Sequence, residues 1–151
     1  MRFATVRASG GPCPVVIDGD QYISLPDADR TIPPTMREAL ENWQHVRFRA
    51  QEILRDRKAT RQPLADVEYK APVPNPHKII CLGLNYADHA KEGGVPIPKE
   101  PVLFSKYATA LIGHEAAIVL PPVSQEVDFE AELVIVGGTR GRNLTEQDAP
   151  G

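Results

Sequence analysis

Fifteen of the 151 residues are proline, about twice the ordinary share of roughly 5%, and where they fall limits what the chain can fold into. Proline fixes φ and has no N–H, so helix interiors and central strands exclude it. Pro72, Pro74 and Pro76 alternate through residues 71–77, APVPNPH. Pro96, Pro98 and Pro101 follow, and Pro121-Pro122 come later. Regular structure is confined to the intervals between them. Residues 71–77 read as a stiff extended linker. They divide a small N-terminal α/β domain, residues 1–70, from a second unit, residues 78–151.

The intervals carry their own patterns. RFATVR (2–7) and PVVIDGDQYIS (14–24) read as short strands, with Asp18-Gly19 as a hairpin signal. Thr35-Met36-Arg37-Glu38 is a capping box that opens a helix. Met36, Ala39, Leu40, Trp43, Val46, Ala50, Ile53 and Leu54 then form one apolar stripe at helical spacing. Lys78–Leu84 is a continuous apolar run, as in a strand buried on both faces. Asn85–Glu92 suits a short helix ended by Gly93-Gly94. Val102–Ser105, Ala117–Leu120 and Val127–Val136 read as further strands. Thr145–Asp148 looks like a helix start, yet the sequence stops at Gly151. That suggests a fragment; a frayed turn before Pro150 is the alternative.

Charge and composition exclude several classes. With 17 basic against 20 acidic residues and a net charge of −3, there is no electrostatic footprint for nucleic acid. No apolar run approaches the roughly 18 residues that span a bilayer, and MRFATVRASGG has no signal-peptide core. Cys13 and Cys81 make no disulfide framework. A reducing, cytoplasmic setting is the simple expectation.

Two constellations could do chemistry. In a strand over Val127–Val136, Asp128, Glu130 and Glu132 share one face, about 6.5–7 Å apart at Cα. Carboxylates converging to about 5 Å repel by roughly 3 kcal/mol at an effective dielectric of 20. A divalent cation reverses that sign, and hard oxygen donors suit Mg²⁺, Mn²⁺ or Ca²⁺. A solvated polar face gives the same alternation. The second is His89-x-x-Glu92. One helical turn lets the carboxylate orient the imidazole as a base, with Gly93-Gly94 as a hinge beyond. An exposed polar turn reads the same way. His45, His77, His114 and the arginines around the helix (Arg47, Arg49, Arg55, Arg57, Arg61, with Lys58) read as solvated groups, and Cys81 as a small hydrophobe.

Taken in order, these segments resemble the fumarylacetoacetate hydrolase family. The text that carries the likeness is KIICLGLNYADHAKE (78–92), EPVLFSK (100–106), IVLPP (118–122), VDFEAEL (127–133) and RNLTEQD (142–148). The resemblance implies an α+β, mostly β architecture: the small N-terminal domain, then the first part of a mixed β-sheet roll around a cavity. It implies a divalent metal, Mg²⁺ with Mn²⁺ or Ca²⁺ as alternatives, held by Glu130, Glu132 and an Asp further on. It implies that His89 and Glu92 form the water-activating dyad of a mobile lid. It assigns Lys106 to substrate contact, with Ser105 where members often have Leu. The third carboxylate and the closing strands would follow Gly151, so the chain is expected to stop within the catalytic domain.

The function so implied is hydrolysis of a C–C bond in a small β-diketo acid of the acylpyruvate or fumarylpyruvate type, as in aromatic catabolism and 2-oxo acid metabolism. Isomerase, hydratase, decarboxylase or lyase chemistry on a related 2-oxo acid is the alternative, and an inactive truncated fragment is a third reading. Expected partners are the oxo-acid substrate and a second copy in a homodimer.

Overall fold

A computed structural model describes residues 1–149; Pro150 and Gly151 lie outside the described residues. The start signal at Thr145–Asp148 is met by a turn, in which Thr145 O accepts from Asp148 N and Ala149 N (3.1 Å each) and the Thr145 hydroxyl accepts from Asp148 N (3.2 Å). The chain opens with three consecutive antiparallel strands, β1 (Arg2–Ala8), β2 (Gly11–Asp18) and β3 (Gln21–Ser24). The second hairpin turns one residue later than its sequence signal. Asp18 pairs with Gln21 inside the ladder, and Gly19 takes φ +65°, the left-handed value that a two-residue turn needs.

The register explains two prolines inside β2. Pro12 lies opposite Arg7 and Pro14 opposite Thr5. On β1, Arg7 N donates to Glu68 O (2.9 Å) and Thr5 O accepts from Lys70 N (2.8 Å). Those backbone groups face away from β2, so both prolines occupy pairs that exchange no hydrogen bonds. On the other side β3 ends at Ser24, opposite Val15. Neither missing N–H is needed.

A fourth, two-residue strand, β4 (Gln62–Pro63), completes the order β1-β2-β3-β4. Phe3, Val16 and Ile23 form one row across β1, β2 and β3. Over it lie α1 (Leu25–Ala28), α2 (Met36–Glu41) and α3 (Trp43–Arg55). The shared core joins Val16, Ile23, Leu25, Ile32, Ala39, Val46, Ala50 and Ile53. Trp43 sits edge-on to Phe3, with ring centroids 4.9 Å apart.

Half of the capping box forms: the Thr35 hydroxyl accepts from Glu38 N (3.3 Å), while the Glu38 carboxylate accepts from that same hydroxyl (2.6 Å). The single expected helix is instead two, broken at Asn42 (φ −119°, ψ 38°). Asparagine competes with the helical backbone and favours such junctions. Two of the supposedly solvated arginines are structural. Arg61 donates to Leu54 O (3.0 Å), Ala59 O (3.1 Å) and Asp56 O (3.1 Å), and to Asp18 Oδ2 (2.8 Å), tying the end of α3 to the β2–β3 turn. Arg49 bridges Asp29 and Glu52.

Asp29 is held by the backbone N–H (2.9 Å) and hydroxyl (2.7 Å) of Thr31, and by Arg49. These donors, in that order, lower its pKa from 3.8 to about 2. A carboxylate depressed by folding stabilises the fold above its unfolded pKa. That contribution is lost as pH falls from about 4 toward 2. The urea midpoint should therefore decline across this window, and Asp29→Asn should flatten the decline. An unchanged profile in that variant would remove Asp29 from the account.

Beyond the linker the structure is sparse. β5 (Ile80–Gly83) pairs antiparallel with β6 (Val102–Ser105), Ile80 opposite Ser105, and α4 (Ala87–Glu92) lies between them in sequence. The expectation that 78–84 is buried on both faces is not met: Ile80 is 65% exposed and Leu103 62%. Among the described residues nothing stacks over this two-stranded ribbon. The strands expected at Ala117–Leu120 and Val127–Val136 are likewise irregular and exposed. A strand is stabilised by its ladder, and neither segment finds a pairing partner among the described residues. Among them, no helix is long and apolar enough to cross a membrane.

One loop touches both halves. Residues 111–116 line a cleft of about 470 Å³ with Val67–Ala71 and Pro74. A Cβ on Gly113 would lie 1.9 Å from Tyr69 O, and the His114 ring meets Tyr69 edge-on at 5.5 Å. Gly113→Ala should therefore lift this loop from the Glu68–Lys70 edge. Proteolysis within 72–116 should accelerate while the unfolding of the N-terminal sheet, followed by Trp43 fluorescence, stays unchanged.

Candidate active site

The site begins where β5 ends. Gly83 closes the strand, Leu84 takes φ +52°, and Tyr86 caps α4 in an extended conformation. Left-handed backbone at a leucine is uncommon and costly. Here it turns the chain abruptly from strand to helix. Ala90 is the buried position of α4, and Gly94 (φ +61°) follows its C-cap Gly93. The glycine pair thus ends the helix as expected.

His89 and Glu92 are both on α4 and exposed. The expected hydrogen bond between them is not made: among the described residues no bond or ion pair joins the two. Both side chains stay in water, where a lone contact gains little over hydration. Lys106 follows β6, exposed, with its N–H donating to Ile79 O at 3.4 Å.

Glu130 and Glu132 do not share a strand face, because their segment is not a strand. Both are exposed. Their oxygens are the hard donors that a divalent cation prefers. Yet among the described residues no group of three or more His, Cys, Asp or Glu side chains could hold a metal ion. The described residues therefore do not by themselves make a metal site.

What the structure does bring together is the Glu132 segment and the start of α4. The Asn85 amide, with its nitrogen toward the acceptors, donates to Leu82 O and Glu132 Oε1, 3.2 Å each. Leu133 N donates to the Tyr86 hydroxyl at 3.5 Å. Sequence reasoning quoted Asn85 and Tyr86 but gave them no role. The available signal was a lone amide and a phenol between an apolar run and a helix.

This succession of motifs has a family. Residues 78–151 match the model of the fumarylacetoacetate (FAA) hydrolase C-terminal domain, and through them the chain belongs to the fumarylacetoacetate hydrolase family. Its similarity to particular proteins runs further toward the N-terminus. The mitochondrial oxaloacetate tautomerase fahd2 of Xenopus laevis is 40% identical over 153 residues, 99% of this chain and 48% of that protein. The mitochondrial oxaloacetate tautomerase FAHD2A of Homo sapiens is 42% identical over 132 residues, 87% of this chain and 42% of that protein. The crystal structure of maleylpyruvate hydrolase from Sphingobium sp. SYK-6, in complex with manganese(II) and pyruvate, superposes with a TM-score of 0.62 at 28% identity. That superposition covers 82% of this chain and 43% of that one. The chain spans about half the length of the curated relatives it matches.

These similarities correct one expectation. The cytoplasmic location rested on cysteine usage and a missing signal core; the relatives in frog and human are mitochondrial proteins. Two unpaired cysteines suit a reducing interior but do not tell one such compartment from another.

Proposed function

We propose that this chain supplies part of an enzyme that moves a proton next to the ketone of a small 2-oxo acid, interconverting keto and enol forms of an oxaloacetate-like diacid. This replaces C–C hydrolysis as the first reading. The observation that carries it is 40% identity to an oxaloacetate tautomerase across 99% of the chain. In the keto-to-enol direction a C–H bond beside the ketone breaks and an O–H bond forms on its oxygen, with no atom gained or lost. His89 is our candidate to accept the carbon-bound proton, oriented by Glu92 once the lid helix closes. Lys106 would offer a cation to a carboxylate of the acid.

A divalent cation, Mg²⁺ by first choice with Mn²⁺ or Ca²⁺ as alternatives, belongs to the same proposal. The manganese in the maleylpyruvate hydrolase structure supports it. Glu130 and Glu132 would give two of its ligands and a group outside the described residues the next. When bound, such an ion polarises a 2-oxo acid as a Lewis acid. We also read the assembled enzyme as a homodimer. The division at residues 71–77 is the boundary we propose between its domains.

Hydrolysis of an acylpyruvate-type acid is the second reading, favoured by the likeness to maleylpyruvate hydrolase. One assay separates the two. The complete enzyme that contains this chain, with each cation in turn, is given the enol form of oxaloacetate and an acylpyruvate. Enol absorbance and products are then followed. Catalysed enol decay with oxaloacetate intact is the expected result. Cleavage of the acylpyruvate alone would reverse the order, and no rate above buffer on either acid would overturn both.

A further inference from the structure

Leu84-Asn85-Tyr86 makes contacts that neither the helix nor the strand beside it requires. Leu84 carries a left-handed backbone, φ +52°. The next two side chains reach a segment some 47 residues away in sequence, the separation of Tyr86 and Leu133. With its amide nitrogen assigned to face the two acceptors, Asn85 donates to Leu82 O at the end of β5 and to Glu132 Oε1, 3.2 Å to each. Tyr86, the N-cap of α4, takes the Leu133 N–H. Between Glu126 and Gly138 the chain has no ladder to hold it. These two contacts, one to a side chain and one to backbone, attach it to the turn between β5 and α4.

We propose that these three residues form a clasp that sets Glu132 against the helix bearing His89, so that the acidic pair and the imidazole are placed by one device. Asn85 and Tyr86 are positioning residues in this scheme; neither touches substrate. The importance of that placement rests on the functional reading above, but the clasp itself does not. Backbone strain of this kind is usually kept where it aims something. Here it aims the amide, because the abrupt turn at Leu84 lets Asn85 face back across the end of β5. The turn specifies its own residue preferences. Glycine accepts a positive φ freely, whereas a β-branched residue is a marked outlier there.

Amide hydrogen exchange on the full chain tests the clasp without any need for turnover. Tyr86→Phe should speed exchange at Leu133 roughly two- to tenfold, the factor that one hydrogen bond carries. Asn85→Ala should loosen residues 130–133. Asn85→Asp should loosen them more than Ala, because it sets a carboxylate against Glu132. Leu84→Gly should keep the protection and Leu84→Val should lose it. In the assay above, Asn85→Ala should lower kcat with little change in KM, and Asn85→Asp should lower it further. Unchanged exchange at Leu133 in Tyr86→Phe, or equal effects of Ala and Asp at 85, would overturn the clasp. Loosened exchange in a chain that turns over neither acid would leave the clasp standing and sink the functional reading instead.

Discussion

Replacing His89 with Ala should lower keto–enol turnover by about 10²- to 10⁴-fold, the usual contribution of a positioned acid–base group. The thermal unfolding curve should not move. His89 is exposed on α4, its only hydrogen bonds among the described residues are made by its backbone, and exposed substitutions of this kind seldom shift stability by more than about 0.5 kcal/mol. Glu92→Gln should cost less, about tenfold if the carboxylate only orients the ring. In that case the two losses should not add in the double variant, because residues acting as a unit are non-additive. Turnover retained in His89→Ala would dismiss the imidazole as the proton carrier. Losses that simply multiply would separate Glu92 from it.

Legibility of the chain changed at the linker, and the reason is physical. In the N-terminal sheet, side-chain pattern and local geometry agree. Phe3, Val16 and Ile23 share a row because strand periodicity puts them there, and Thr35 caps because its hydroxyl can reach Glu38 N. The backbone misses there are local: the hairpin turn moved from Asp18 to Gly19, the helix broke at Asn42, and the short α1 and β4 were not expected. Past residue 77, β5, α4 and β6 form where the pattern puts them, but Ala117–Leu120 and Val127–Val136, which read equally well, are not realised as strands. Alternation over Val127–Val136 asks for a strand, and a strand depends on a partner that periodicity cannot supply. The family was legible because motif order survives without geometry. The carboxylate pair was legible as a chemical type and not as a site. Arg61 and Asn85 were missed for a shared reason: each works through backbone carbonyls, and no spacing rule shows where those will be.

The other large effect concerns what unfolds. The buried apolar side chains are concentrated in residues 6–53; after Ala71, only Ala90 is added among the described residues. Cooperative stability should therefore belong to the N-terminal sheet and its helices. Leu25 is fully buried in the shared core. Leu25→Ala should destabilise by about 2–5 kcal/mol, depending on how far the walls of the cavity relax. Against a total of about 5–15 kcal/mol for a small domain, that is a large share. The single tryptophan is Trp43, packed on Phe3, so its fluorescence reports on this unit and on no other. Urea unfolding followed there should give a slope suited to about 70 residues rather than 151, because the slope scales with the surface exposed. Leu25→Ala should lower the midpoint without changing that slope. A slope fitting the whole chain would mean that residues 78–149 unfold with the sheet. The exposed ribbon of β5 and β6 would then have to be covered in solution, and adding protein should raise the midpoint if a second copy covers it.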